Sequence, residues 1–471
     1  MGGFFGIAGR PGEDCTTDLF YGTDYHSHLG TMRGGLAASN GKQLRRYIHD
    51  ITNAQFRSKL GPDLPQLSGH CGIGVISDLD DQPLLIGSHL GTFAVVTVGR
   101  ISNIDEIVAQ ALGQRRAHFS EMSGGMINPT ELVGMIISRE ESFLEGIRRV
   151  LESVEGSCSL LVLTTQGIYA ARDRLGRTPV ILGTREDATA AALETSAFPN
   201  LGFETSHCLG PGEVVLLHHD GFETISPPGE SMSICAFLWV YYGFPASHYE
   251  GINVEDARNR SGAFLARRDS VRADMVAGIP DSGTGHALGY ATESGLPYRR
   301  PFVKYTPTWP RSFMPQDQGV RELVARMKLI PIPELIRGRK LLFCEDSIVR
   351  GTQLRDTIRR VFESGAAEVH MRPACPPLLH GCPFLNFSRS SSELDLAGRR
   401  AVSRLEGSAI EVPPAYRDPD SDGFRALVEE VRKELGLTSL MYQRLDDLIS
   451  AIGMPEEKLC TYCWTGRSGP A

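Results

Sequence analysis

The chain has 471 residues, with 48 basic against 56 acidic side chains, a net charge of -8, and 41% hydrophobic content. This is the composition of an ordinary globular protein with room for two or three domains, and without a long basic block it excludes a general nucleic-acid binder. The longest apolar runs, such as "FAVVTV" and "SLLVLTT", fall well short of the roughly 20 residues of a membrane helix. The opening "MGGFFGIAGRPGED" has neither the basic nor the sustained apolar segment of a secretory leader, so a cytoplasmic protein is expected.

In chain order, the first 230 residues read as short β-type runs with turn signals: "CGIGVISD", "LIGSHLGTFAVVTVGRI", "SCSLLVLTTQGIYAARD" and "GEVVLLHHDG", mixed with a few helical stretches. That is an α+β, layered pattern. The Pro-, Gly- and Ser-rich "ISPPGESMSIC" (225–235) is the expected connection to a second region. From about residue 250, helices and strands alternate: helix "NVEDARNRSGAFLARRD", strand "ADMVAGI", helix "GHALGYATESG", strand "RPFVKY", strand "KLLFCED", helix "TQLRDTIRRVFESG" and strand "EVHMRP". Such alternation predicts an α/β unit with a parallel sheet. The expected units are residues 1–230 and 231–471.

Ten cysteines outside a secretory context argue against a disulfide framework. Cys15, Cys71, Cys158, Cys208, Cys344 and Cys375 each sit singly among apolar or small residues, the setting of inert packing. Cys460 and Cys463 form a CxxC in "LCTYCWTG", which reads as a metal half-site, a redox pair or chance.

The stretch "KLLFCEDSIVRGTQLRD" (340–356) concentrates chemistry. An apolar strand runs into two adjacent acids and then a turn that opens a helix, at the strand edge where open α/β sheets put their ligands. Backbone N–H groups of "SIVRGT", with Val349, Arg350 and Gly351 in its middle, and the helix start can hold a phosphate, with Ser347 and Thr352 adding hydroxyls. Glu345 and Asp346 suit ribose hydroxyls or a Mg²⁺ ion.

With these residues in view, "LLFCEDSIVRGTQ" resembles the phosphoribosyl pyrophosphate (PRPP) signature of type I phosphoribosyltransferases. "VAGIPDSGTGHALGYATESGLPY", "FMPQDQGVRELVARMKL", "INVEDAR", "RDRLGRTPVILG" and "PGE" are similar to segments of glutamine PRPP amidotransferases, the family of the first committed step of purine synthesis. The resemblance implies an N-terminal-nucleophile-hydrolase-like αββα sandwich followed by a phosphoribosyltransferase domain. It implies PRPP contacts at Glu345, Asp346, the 347–352 loop, Lys304 and Arg311, and Mg²⁺ near Ser282, Glu345 and Asp346. One branch of the family carries a [4Fe-4S] cluster, and Cys235, Cys382, Cys460 and Cys463 fall at matching places; Zn²⁺ on the same thiolates is the alternative. A homotetramer with purine-nucleotide feedback is also implied.

Departures from the family are concentrated in the front half. Gly2 stands where the family has its nucleophilic cysteine. The segment of the glutamine-holding arginine is "GIGVISDLDDQPL", without a basic residue. The oxyanion-hole asparagine falls near Val98, and the amine-holding aspartate near Pro129. In the second half, Glu345 replaces the first of two aspartates, and "KYTPTWPRSFMP" (304–315) replaces a more pliant loop. The expectation is an inactive glutaminase half and a transferase that takes free ammonia, or ammonia from a separate partner. The alternatives are a PRPP- or nucleotide-sensing regulator and a transferase acting on another amine or a nucleobase.

Overall fold

A computed structural model describes the chain except for residues 1, 79, 114–118, 120–121, 124–125, 305–328, 386–391, 408–410 and 468–471. The chain starts in the middle of a sheet. Strand Gly3–Gly9 lies between Ala188–Ala192 and Cys71–Ser77, antiparallel to both. The seven-stranded sheet runs Glu204–Cys208, Ile181–Arg185, Ala188–Ala192, Gly3–Gly9, Cys71–Ser77, Arg33–Ser39, Leu44–Asp50. A six-stranded sheet of Gly221–Ser226, Val214–His218, Ile168–Ala171, Gly156–Leu163, Gly91–Ile101 and Leu84–Ser88 packs against it.

The apolar runs are continuous because both faces of these strands are covered. Ala94, Val96, Val98, Leu161 and Leu163 join the core between the sheets. Their neighbours Phe93, Val95, Leu160 and Val162 turn the other way, against Leu132 and Ile136 of helix Pro129–Ile137 and Ile147 of helix Phe143–Ser153. This is the period-2 alternation of a strand with two apolar neighbours. Helix Thr16–Asp24 covers the far side of the first sheet, so close that a Cβ on Gly22 would lie 2.4 Å from the Phe5 ring. The expected αββα sandwich is the result.

After Gly221–Ser226, residues 227–233 form no strand, and Ile234–Cys235 then pairs in parallel with Leu459–Cys460 near the C-terminus. The second sheet is parallel throughout, in the order Met275–Gly278, Lys340–Glu345, Glu368–Pro373, Ser439–Leu440. Helix Thr352–Glu363 provides one crossover, and helices Val254–Arg268 and Thr284–Ser294 pack against each other beside the sheet. One expected strand sits elsewhere. In "RPFVKY", Phe302–Lys304 pairs antiparallel with Leu329–Pro331, outside the parallel sheet. Its burial gives the reason: Phe302 is buried while Val303 is 39% exposed, the pattern of a strand with one wet face.

Candidate functional site

Strand Lys340–Glu345 is buried from Leu341 onward and delivers Glu345 and Asp346 to the carboxyl edge of the parallel sheet. Its neighbour Met275–Gly278 runs in register, Gly278 beside Cys344, so the 280–283 "PDSG" loop emerges at the same edge. Both acids are buried, at 8% and 6% exposure. Ser282 Oγ donates to Glu345 Oε1 at 3.4 Å, the Asp346 N–H donates to the same oxygen at 3.1 Å, and Ser347 Oγ donates to Asp346 Oδ1 at 2.5 Å. Burial, and then the adjacent Asp346 charge, push the Glu345 carboxyl well above the usual carboxylate range.

The loop that follows turns its carbonyls one way. Val349 O accepts from the Ala397 N–H at 2.7 Å, and Arg350 O accepts from Arg400 at 2.6 Å. Among the described residues, the N–H groups of Ser347, Ile348, Val349, Gly351 and Thr352 meet no acceptor. Gly351 has φ of 75°, a left-handed turn that starts the helix at Thr352. Free N–H groups before a helix N-terminus are an anion cradle. Arg350 extends to Asp395 at 3.6 Å, and Lys304 pairs with Asp281 of the "PDSG" loop. One edge therefore gathers Ser282, Glu345, Asp346, the 347–352 loop and Lys304; Arg311 lies outside the described residues.

Sequence reading missed Arg258. Its buried guanidinium donates to the carbonyls of Trp239, Tyr241 and Gly243 at 2.9, 3.0 and 2.9 Å. Burial pulls its pKa down, and Asp346 is the first of the carboxylates that offset this. In "VEDARNRS" it reads as one more helical arginine, and only the fold buries it against the 239–243 carbonyls within electrostatic reach of Asp346.

In the front half, the positions of the family's glutaminase residues are knitted into the fold. A Cβ at Gly2 would lie 2.6 Å from Ile76 O. Val98 is buried at 3% exposure. Pro129 begins a helix capped by Asn128, whose side chain accepts from the Thr130 N–H at 2.8 Å and donates to Asp81 O at 3.0 Å. Gln82, from the segment lacking an arginine, accepts from the Thr97 N–H at 2.7 Å.

The cysteines separate as expected in part. Cys15, Cys158, Cys344 and Cys375 are buried, whereas Cys71 and Cys208 are only half-buried. Cys235, Cys382, Cys460 and Cys463 converge from three segments. Cys235 and Cys460 are register partners on paired strands, Cys382 hydrogen-bonds with Cys463, and the Cys463 carbonyl accepts from Leu379 and His380 at 3.0 and 3.1 Å. The hydrogen bond to Cys382, then burial, hold the Cys463 thiol well above its ordinary value; burial, then Cys460, does the same for Cys235. Thiols held so become thiolates together only when positive charge neutralises them, as a bound metal does. Among the described residues, no three His, Cys, Asp or Glu side chains are gathered so that they could hold a single metal ion.

Known proteins match along the whole chain. A family model described as a glutamine amidotransferase domain covers residues 71–200. The amidophosphoribosyltransferase of Methanocaldococcus jannaschii is 28% identical over 99% of this chain and 97% of its own, and that of Bacillus subtilis is 28% identical over 99% and 93%. The solved glutamine PRPP amidotransferase of B. subtilis, complexed with ADP and GMP, superposes with a TM-score of 0.83 at 28% identity, covering 99% of this chain and 97% of that one. Over 99% of its length the chain is similar to amidophosphoribosyltransferases. As in that architecture, the sandwich is the glutaminase-like domain of the homologues and the parallel sheet is their type I phosphoribosyltransferase domain.

Proposed function

We propose that this chain displaces pyrophosphate from PRPP with ammonia, forming phosphoribosylamine, the first committed step of purine synthesis. The Glu345–Thr352 loop carries the reading: two buried carboxylates beside N–H groups that meet no acceptor among the described residues, at the carboxyl edge of a parallel sheet. The N–H groups and the helix start would hold the ribose 5-phosphate. Asp346 and Glu345 would orient the ribose hydroxyls, or hold Mg²⁺ together with substrate oxygens, since Mg²⁺ commonly takes one or two carboxylates plus phosphates. When bound, that ion supplies charge neutralisation for the leaving group. As the amine nitrogen bonds to the ribose C1, the C1–O bond breaks, its electron pair leaves with pyrophosphate, and the amine proton passes to solvent. Positioning and charge stabilisation are most of what the protein must contribute.

In this reading residues 1–230 form a glutaminase-like unit that does not hydrolyse glutamine, and residues 231–471 the transferase with its cysteine-bearing segment. Ammonia arrives free or from a separate partner. Cys235, Cys382, Cys460 and Cys463 hold a [4Fe-4S] cluster with a structural role, in a cytoplasmic homotetramer under purine-nucleotide feedback. A second reading, a PRPP or nucleotide sensor without turnover, is favoured by Glu345, whose carboxyl is held well above the usual carboxylate range by burial and which is one methylene longer than the aspartate of the family. Pyrophosphate release from purified protein with PRPP and Mg²⁺ separates them. Release with ammonium and none with glutamine is expected, and binding of PRPP with no release under any acceptor supports the sensor. Asp346→Asn should lower kcat/KM for PRPP about 10- to 100-fold, the worth of a charged hydrogen bond; unchanged kinetics would move the substrate elsewhere.

A further inference from the structure

One residue of the sandwich reaches into the cysteine cluster. Arg177, buried at 3% exposure, donates from Nη1 to Cys460 Sγ at 3.1 Å. Its guanidinium lies over the Phe384 ring, 3.5 Å from the centroid, and Phe384 packs edge-on against Tyr462, the residue before Cys463. Its carbonyl accepts from the Cys235 N–H at 3.1 Å. A single side chain and its own backbone thus hold two of the four cysteines from two different segments. A cavity of about 180 Å³ is lined in part by Ser157, Arg174, Arg177 and Phe384 and by none of the four cysteines. Among the described residues the buried Ser157 hydroxyl there meets no partner, so the cavity is polar enough to hold water. Arg177 thus both lines that space, with Phe384, and holds the Cys460 sulfur.

We propose that Arg177 is a positioning residue for the cysteine-bound cluster: its hydrogen bond to the Cys460 sulfur stabilises the more reduced, more negatively charged state, and its stacked side chain keeps cavity water off that sulfur. The inference rests on the cluster reading above. Hydrogen bonds to ligating sulfurs and solvent exposure are two of the levers that set such potentials, and a guanidinium is a donor that never loses its charge.

The test uses anaerobically purified full-length protein. Iron and sulfide content with the visible spectrum of the unaltered protein decide the cluster reading itself; a protein without iron removes that reading and this one with it. In iron-loaded protein, Arg177→Met keeps the stem over Phe384 and removes the donors, so the reduction potential should shift to more negative values, with Arg177→Lys restoring part of the shift. Phe384→Leu leaves the donors but frees the guanidinium, and should shorten the half-life of the visible absorption in air. Potentials equal to the unaltered protein in both arginine variants, at equal iron content, overturn the proposal. If Arg177→Met takes up no iron, Arg177→Lys and Phe384→Leu decide it: both matching the unaltered protein in potential and air half-life also overturns it.

Discussion

At Gly2 the proposed loss of glutaminase function and the packing of the fold meet in one missing atom. The family's hydrolysis needs a terminal cysteine whose own amine acts as base, and restoring the thiol is the obvious repair. The structure argues against it, because the new Cβ would fall 2.6 Å from Ile76 O on the adjacent strand, and a carbonyl in a sheet cannot step aside. Gly2→Cys should therefore release no glutamate from glutamine and should lower the melting temperature, with an overpacking cost of roughly 1–3 kcal/mol. Glutamate release at a rate comparable with ammonia-dependent pyrophosphate release would show that the rest of the glutaminase machinery survives. The same reasoning shows what the sequence could and could not disclose. That Gly2, Val98 and Pro129 stand where the resemblance implies other residues is visible in the letters, but that Gly2 lies against Ile76, that Gln82 ties Thr97 beside Val98 and that Asn128 caps the helix begun by Pro129 is visible only once the chain is folded.

At the scale of elements, legibility followed burial geometry. Lys340–Glu345, Thr352–Glu363 and Val254–Arg268 were readable because apolar run, turn and amphipathic period each leave a local signal. Gly3–Gly9 and Arg33–Ser39 were passed over, since strands buried on both faces and rich in Gly and Ala lack alternation. Glycine marks a second hidden feature, the crossing of helices Val254–Arg268 and Thr284–Ser294. A Cβ on Gly262 would lie 1.9 Å from His286 O, and one on Gly289 1.9 Å from Asn259 O. Each glycine admits the other helix's backbone, and this close approach fixes the helix that carries Arg258, whose charge Asp346 supports. Alanine at either position, favourable for an isolated helix, should instead destabilise by about 1–3 kcal/mol or more and weaken PRPP binding through the displaced arginine. Calorimetric melting and PRPP titration of both variants check this; a raised melting temperature would mean the helices have room.

Across the whole molecule the two halves share one core, in which Phe237, Trp464 and Cys463 of the second half join Ile76 and Val98 of the first. Phe237 and Trp464 stack at 5.1 Å, and Glu194 of the first half accepts from the Tyr249 hydroxyl of the second at 2.7 Å. Residues 231–471 expressed alone should be insoluble or melt well below the full chain, because that apolar face and the partners of Glu194 would be exposed to water. Folding of the fragment with an unchanged melting temperature would break the argument.

The same union fixes how the protein responds to acid, because each half buries a neutral histidine. His26 Nδ1 lies 2.9 Å from Gly22 O, and its Nε2 accepts from the Leu193 N–H at 3.3 Å, so a second proton has no place to sit. Burial pulls His26 down to about 4, and burial, then Arg258, pulls His286 to about 3. Both groups titrate near 6.5 when unfolded, so between 6.5 and these values the unfolded chain binds more protons. Stability is then complete above pH 6.5 and falls as the pH drops toward 4, by roughly 3 kcal/mol for His26 alone. Glu194 extends the loss downward. Burial would raise its carboxyl, but His28 and the other partners bring it to about 2, so its contribution is present above its ordinary value near 4.5 and disappears between 4.5 and 2. Melting temperature should therefore decline continuously below pH 6.5, and His26→Gln, which cannot take up the proton, should flatten the decline between pH 6.5 and 4 while leaving the steeper loss below it. Parallel profiles for the variant and the unaltered protein across that window would mean that His26 is charged in the folded state, and that the neutral ring wedged between Gly22 and Leu193 is not what makes the sandwich acid-labile.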